Sequence, residues 1–108
     1  MVGAMQITIR HTEGCPNVVK VEERLRRALE AVGERDAAVA RELVQSQEEA
    51  ERLQFPGSPT ILIDGSDPFA EPAARPGLAC RIYPAATGTE GAPAIEDLER
   101  AIRDAAHS

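Results

Sequence analysis

The chain has 108 residues, a formal net charge of −6 and 43% hydrophobic residues, enough apolar material for one modest core and a single domain spanning 1–108. The acidic residues are scattered and Lys and Arg form no cluster, which excludes the basic surface that nucleic acid requires. No run of about 18 apolar residues is present, so no membrane-spanning helix is expected.

Residues 1–4 read as a loose lead into the first element. "MQITI" alternates, with Ile7 and Ile9 on one face, and predicts a strand. "HTEG" is turn chemistry. From Pro16 to Val32 apolar residues fall at 18, 21, 25, 28, 29 and 32, the spacing of an amphipathic helix. Pro16 suits its first position and Gly33 its C-terminal cap. "DAAVARELV", 36–44, mixes helix formers with the alternation Val39, Arg41, Leu43, and its place after a helix and turn favours a strand. "SQEEAERLQ" opens with a capping box, Ser46 with Glu49, and predicts a short helix burying Ala50 and Leu53. "FPGSP" forbids regular structure, and "TILID", 60–64, is the strongest strand. Residues 65–79 carry Pro68, Pro72 and Pro76 without periodicity and read as an insertion loop. "CRIY", 80–83, predicts a last short strand. Pro93 to Ala106 predicts a final helix burying Ile95, Leu98, Ile102 and Ala105.

The order is therefore βαβαββα. A strand–helix–strand unit implies two parallel strands, and the last two strands an antiparallel hairpin. The expected architecture is α/β: a four-stranded mixed sheet with helices on both faces, a three-layer α/β/α arrangement.

Two motifs stand out. "GCPN" places Cys15 where the first strand meets the first helix, and "QFPGSPTILIDG" places Pro59 just before a central strand. With the element order, they make residues 6–106 resemble the thioredoxin-like fold in its minimal, glutaredoxin-like form. The closer similarity is to small actinobacterial thioredoxin-like proteins with "CPN" and "GSPT". The resemblance implies a cis Ser58–Pro59 bond beside Cys15. It also implies that Pro16, Asn17, Ser58 and Thr60 line a substrate groove shaped by Pro59. The chain departs from the dithiol pattern: in Cys15-Pro16-Asn17-Val18, Val18 stands where a resolving cysteine would be. A dithiol reductase cycle within this motif is thereby excluded.

The unpaired N–H groups and dipole at a helix start favour a thiolate at Cys15, and Arg10 and His11 add positive charge nearby. His11 is a candidate base for Cys15. The alternative is a cysteine that only packs. Cys80 is the possible second thiol. If it opens a returning strand, four or five residues at about 3.3 Å each set it some 13–17 Å from the Cys15 end. A disulfide tolerates Cα separations of about 7 Å. Cys80 is then expected in the core, and pairing requires 65–79 to fold back with Cys80 in a loop. The 65–79 segment itself reads either as a lid or as a tolerated surface insertion, with Phe69 its anchor.

With no secretion signal evident and two cysteines, the expected compartment is the reducing cytoplasm. No metal site is expected, because three or four convergent ligands are absent. No bound cofactor is expected either, though a low-molecular-weight thiol such as glutathione or mycothiol could serve as co-substrate. Two functions stay open. One is a monothiol protein, a thiol-disulfide oxidoreductase or thiol transferase working through Cys15 on a protein or small disulfide, with an external thiol as resolver. Capture of a soft metal or organomercurial is its variant. The other is a non-catalytic binding module that grips a peptide or partner protein at the Pro59 groove or the 65–79 loop.

Overall fold

The computed structural model describes residues 4–86 and 88–107. Residues 1–3 of the expected loose lead lie outside that set. The order of elements is β1 (Gln6–His11), α1 (Asn17–Val32), β2 (Ala38–Leu43), α2 (Gln47–Leu53), β3 (Thr60–Ile63), β4 (Tyr83–Ala85), β5 (Gly88–Glu90) and α3 (Ile95–Ala106).

Alternation in β1 sends Ile7 and Ile9 inward, and both are buried. β1 is the middle strand of a three-stranded sheet ordered β2-β1-β3. It runs parallel to β2, with Ile7 opposite Val39 and Ile9 opposite Arg41. It runs antiparallel to β3, with Ile7 opposite Ile63 and Ile9 opposite Ile61. The four isoleucines thus share one face. α1 lays Val18, Val21, Leu25, Ala28 and Leu29 on that face, and α3 adds Leu98, Ala101 and Ile102, closing the main core.

The ends of α1 are set locally. Pro16 precedes it with helical dihedrals. At the other end Gly33 takes φ 88°. There the N–H of Glu34 reaches Leu29 O and that of Gly33 reaches Glu30 O, the paired bonds of a Schellman cap. α2 starts as expected: Ser46 Oγ accepts from the Glu49 N–H at 3.1 Å. The Glu49 carboxylate reaches back one residue further than a capping box predicts, to the Gln45 N–H at 2.8 Å. α2 ends on Gln54 with φ 54°, where the Phe55 N–H bonds Ala50 O. Phe55, Ala50 and Val44 form a second, smaller core.

The expected four-stranded sheet is corrected. The sheet of β1, β2 and β3 has three strands, and β4 and β5 make a separate two-stranded hairpin. "CRIY" does not pair along β3 as a returning strand. Only Cys80 bridges the region before β3, and in parallel, opposite Ser58. The reason lies in 65–79, which returns the chain to the start of β3 instead of turning it at the end. Ser66 first closes a tight reversal on Ile63, and Asp67 Oδ1 accepts the Phe69 N–H at 2.8 Å. Further on, the Gly77 N–H reaches Phe55 O at 3.0 Å and Gln47 Nε2 reaches Pro76 O at 3.2 Å. Phe69 packs on the main core and meets Tyr83 edge-on, ring centroids 5.5 Å apart. The segment is tethered at 66–69 and again at 76–77.

Candidate functional site

Cys15 is half-buried between β1 and α1, and packs against the main core. The residues before it form a turn: the Cys15 N–H donates to Thr12 O at 3.3 Å, and Gly14 adopts φ 73°. Cys15 O in turn receives the Val18 N–H at 3.5 Å. No side chain caps α1 and no acidic residue lies in its first turn. The positive end of the helix therefore faces the Cys15 turn with no carboxylate in the helix's own first turn.

The turn is fastened to the stretch before β3. The Thr12 N–H donates to Ser58 Oγ at 3.0 Å. The Ser58–Pro59 peptide bond is cis. Ser58, Pro59 and Thr60 are all buried. The two backbone groups of Ser58 are taken from the side: its N–H donates to Ala79 O at 3.0 Å, and its carbonyl accepts the Arg81 N–H at 2.8 Å. Residues 79–81 so cover the edge on which the expected groove would open. Gly57, φ 141°, makes this approach feasible, since a Cβ there would stand 3.0 Å from Ala79 O.

Cys80 is corrected on two counts. It is exposed rather than buried in the core, and it lies at the Ser58 end of β3 rather than the far end. Both cysteines are free thiols. Next to Cys80, Arg81 is a buried anchor. Its guanidinium donates to Asp67 Oδ2 at 2.7 Å, to Thr60 Oγ1 at 3.2 Å and to Phe69 O, and it stands 4.8 Å from the centre of the Tyr83 ring. The Tyr83 hydroxyl donates to Pro59 O. Burial pushes the Tyr83 phenol well above its ordinary range, with Arg81 opposing that shift.

His11 is half-buried, and its Nδ1 lies 2.9 Å from Thr12 O. A carbonyl only accepts, so Nδ1 carries the hydrogen and is engaged there rather than with Cys15. Asn17 is half-buried beneath Gly91: a Cβ on Gly91 would fall 2.2 Å from Asn17 Nδ2. Pro16 is exposed beside Cys15. The structure thus gathers Cys15, Pro16, Asn17, Ser58, Pro59 and Cys80 around one end of the sheet. Thr60 Oγ1 donates to Gly57 O at 2.7 Å and is occupied by the local turn.

Sequence reasoning missed Arg81, Tyr83 and Gly91. Gly91 had no signal beyond its residue type. For Arg81 the signal was a cation two residues from an aromatic, with Asp67 across a loop of unknown path. A cavity of about 650 Å³ lies elsewhere: between Ile63, Phe69, Tyr83 and the α3 residues Asp97 and Arg100, towards the opposite end of β3 from Ser58. Asp97 and Arg100 there pair with each other at 3.2 Å. Among the described residues no group of three or more His, Cys, Asp or Glu could hold a metal ion, and no helix is long and apolar enough to cross a membrane. No family model, curated protein or solved structure matches the chain.

Proposed function

We propose that the chain is a thioredoxin-like protein that handles thiols and disulfides through Cys15. The observation that carries the reading is the fastening of the Thr12–Cys15 turn to Ser58, the residue before cis-Pro59, at the uncapped start of α1. Support for the fold comes from the parallel β1 and β2 joined through α1, the antiparallel β3, and α1 and α3 sharing one face. In this reading residues 79–81 and the β4–β5 hairpin stand in for the fourth strand.

The chemistry is nucleophilic. Cys15 Sγ, as thiolate, attacks one sulfur of a protein or small-molecule disulfide, forms a mixed disulfide and expels the other sulfur as thiolate. A low-molecular-weight thiol then returns Cys15 to its reduced form. Substrate approaches over the exposed Gly14 and Pro16, because Ser58, Pro59 and Thr60 are covered. The same covering weighs against the rival reading of a module that grips a peptide along Pro59. His11 contributes shape in this scheme, its Nδ1 being held by Thr12 O. The setting of a cytoplasmic protein agrees with two free thiols and stays part of the proposal.

The test is the iodoacetamide reaction of Cys15 at pH 6 in the Cys80→Ser protein, folded and in concentrated urea. A fold that favours the thiolate makes the folded rate about tenfold or more faster than the urea rate. A folded rate at or below the urea rate reduces Cys15 to a packing residue.

A further inference from the structure

We infer that Cys80 is the resolving thiol for Cys15, so that the two form a reversible intramolecular disulfide; this rests on the reading of Cys15 as the attacking group. Two observations and a rule of sheet geometry bring both to the same residue, Ser58. Cys80 bridges Ser58 in parallel, and bridged neighbours lie about 4.8 Å apart. Partners across a bridge project to the same face of the sheet. Ser58 Oγ accepts from the Thr12 N–H, so the Thr12–Cys15 turn and Cys80 both flank Ser58.

The backbone on either side of Cys80 is pinned, by Ala79 O on the Ser58 N–H and by the Arg81 N–H on Ser58 O. Arg81 is held further by Asp67, Thr60 and Phe69. Cys80 itself remains exposed while its neighbour Arg81 is buried. A thiol on a pinned backbone and open to solvent is suited to a second attack. The place left empty by Val18 in the helix motif is thereby filled from a distant stretch of chain.

The steps balance. Cys15 thiolate attacks a disulfide, forming Cys15–S–S–R and releasing the other half as a thiolate. Cys80 thiolate then attacks Cys15 Sγ, forming the Cys15–Cys80 bond and releasing the R thiolate. The two protein thiols have lost two electrons, the substrate has gained two, and the two protons end on the released thiols. Two equivalents of a low-molecular-weight thiol reverse the oxidation.

The experiment exposes native wild-type, Cys80→Ser and Cys15→Ser proteins to oxidised glutathione, quenches with acid and alkylates before intact-mass analysis. Wild type should become lighter by two hydrogens, with its glutathione adduct decaying at least about tenfold faster than that of Cys80→Ser. Cys80→Ser should accumulate the adduct on Cys15, and Cys15→Ser should form no internal bond. Equal adduct lifetimes in wild type and Cys80→Ser overturn the inference while leaving Cys15 as the nucleophile. Absence of any Cys15 adduct or disulfide in both proteins overturns the underlying reading too. A disulfide found only between chains, or only in urea, overturns the pairing.

Discussion

The Arg81–Asp67 pair is the least exposed ion pair among the described residues, its side chains 9% and 14% exposed. Asp67→Ala removes both oxygens at once: the one facing Arg81 Nη1 at 2.7 Å and the one accepting the Phe69 N–H at 2.8 Å. Removing one partner of a buried pair costs about 3–5 kcal/mol, because the survivor keeps an uncompensated charge. Arg81 retains its contacts with Thr60, Phe69 and the Tyr83 ring. The loss should accordingly fall near the lower limit, about 3 kcal/mol. For a domain of this size that is a fall in Tm on the order of 12–18 °C. Urea unfolding followed by circular dichroism measures it. Glu23→Gln is the control: its pair with Arg27 is 55% and 66% exposed, and its loss should stay within about 0.5 kcal/mol. Asp67→Leu combined with Arg81→Met should recover much of the loss, since no lone charge is left inside. If Asp67→Ala costs less than about 1 kcal/mol, the pair does not hold the 65–79 segment, and the anchoring of Cys80 through Arg81 fails with it.

Tyr83 is the sole tyrosine, so its ionisation can be followed by ultraviolet absorbance without interference. A phenol whose folded value is raised contributes stability below its ordinary value of 10.0, lost as pH climbs beyond it. The tyrosinate signal should therefore rise together with unfolding in alkali, and a rise near pH 10 in folded protein would contradict the burial argument. Ser46→Ala should cost about 1 kcal/mol through loss of the Glu49 N–H cap, read from the urea midpoint at unchanged slope; no measurable change would mean that the start of α2 is held by other bonds.

Periodicity located α1 and α3 because each buries a stripe that repeats in the sequence: Val18, Val21, Leu25 and Leu29 in α1, Leu98 and Ile102 in α3. The central strands were equally plain, Ile7 and Ile9 alternating against Ile61 and Ile63. Local punctuation also carried through, with Gly33 and Ser46 standing where caps were expected. What misled was the region after Gly65. Its path depends on bonds between residues far apart in sequence, such as Gly77 with Phe55 and Arg81 with Asp67, and no local pattern encodes them. The placement of Cys80 failed for that reason. A four-residue word, "CRIY", fits a strand, yet its register followed the returning loop. Gln54 in the left-handed region was hidden as well, because that conformation ordinarily selects glycine or asparagine.

β2 is exposed along its whole length and borders the sheet. A bare margin carrying Val39 and Leu43 invites another chain to add itself there. Arg41 and Glu42 interrupt that invitation: each is engaged by a charge from its own fold, Glu22 for the one and Arg10 for the other. They act as gatekeepers against runaway strand stacking. Two surface charges thus break up an apolar margin that would otherwise run from Val39 to Leu43.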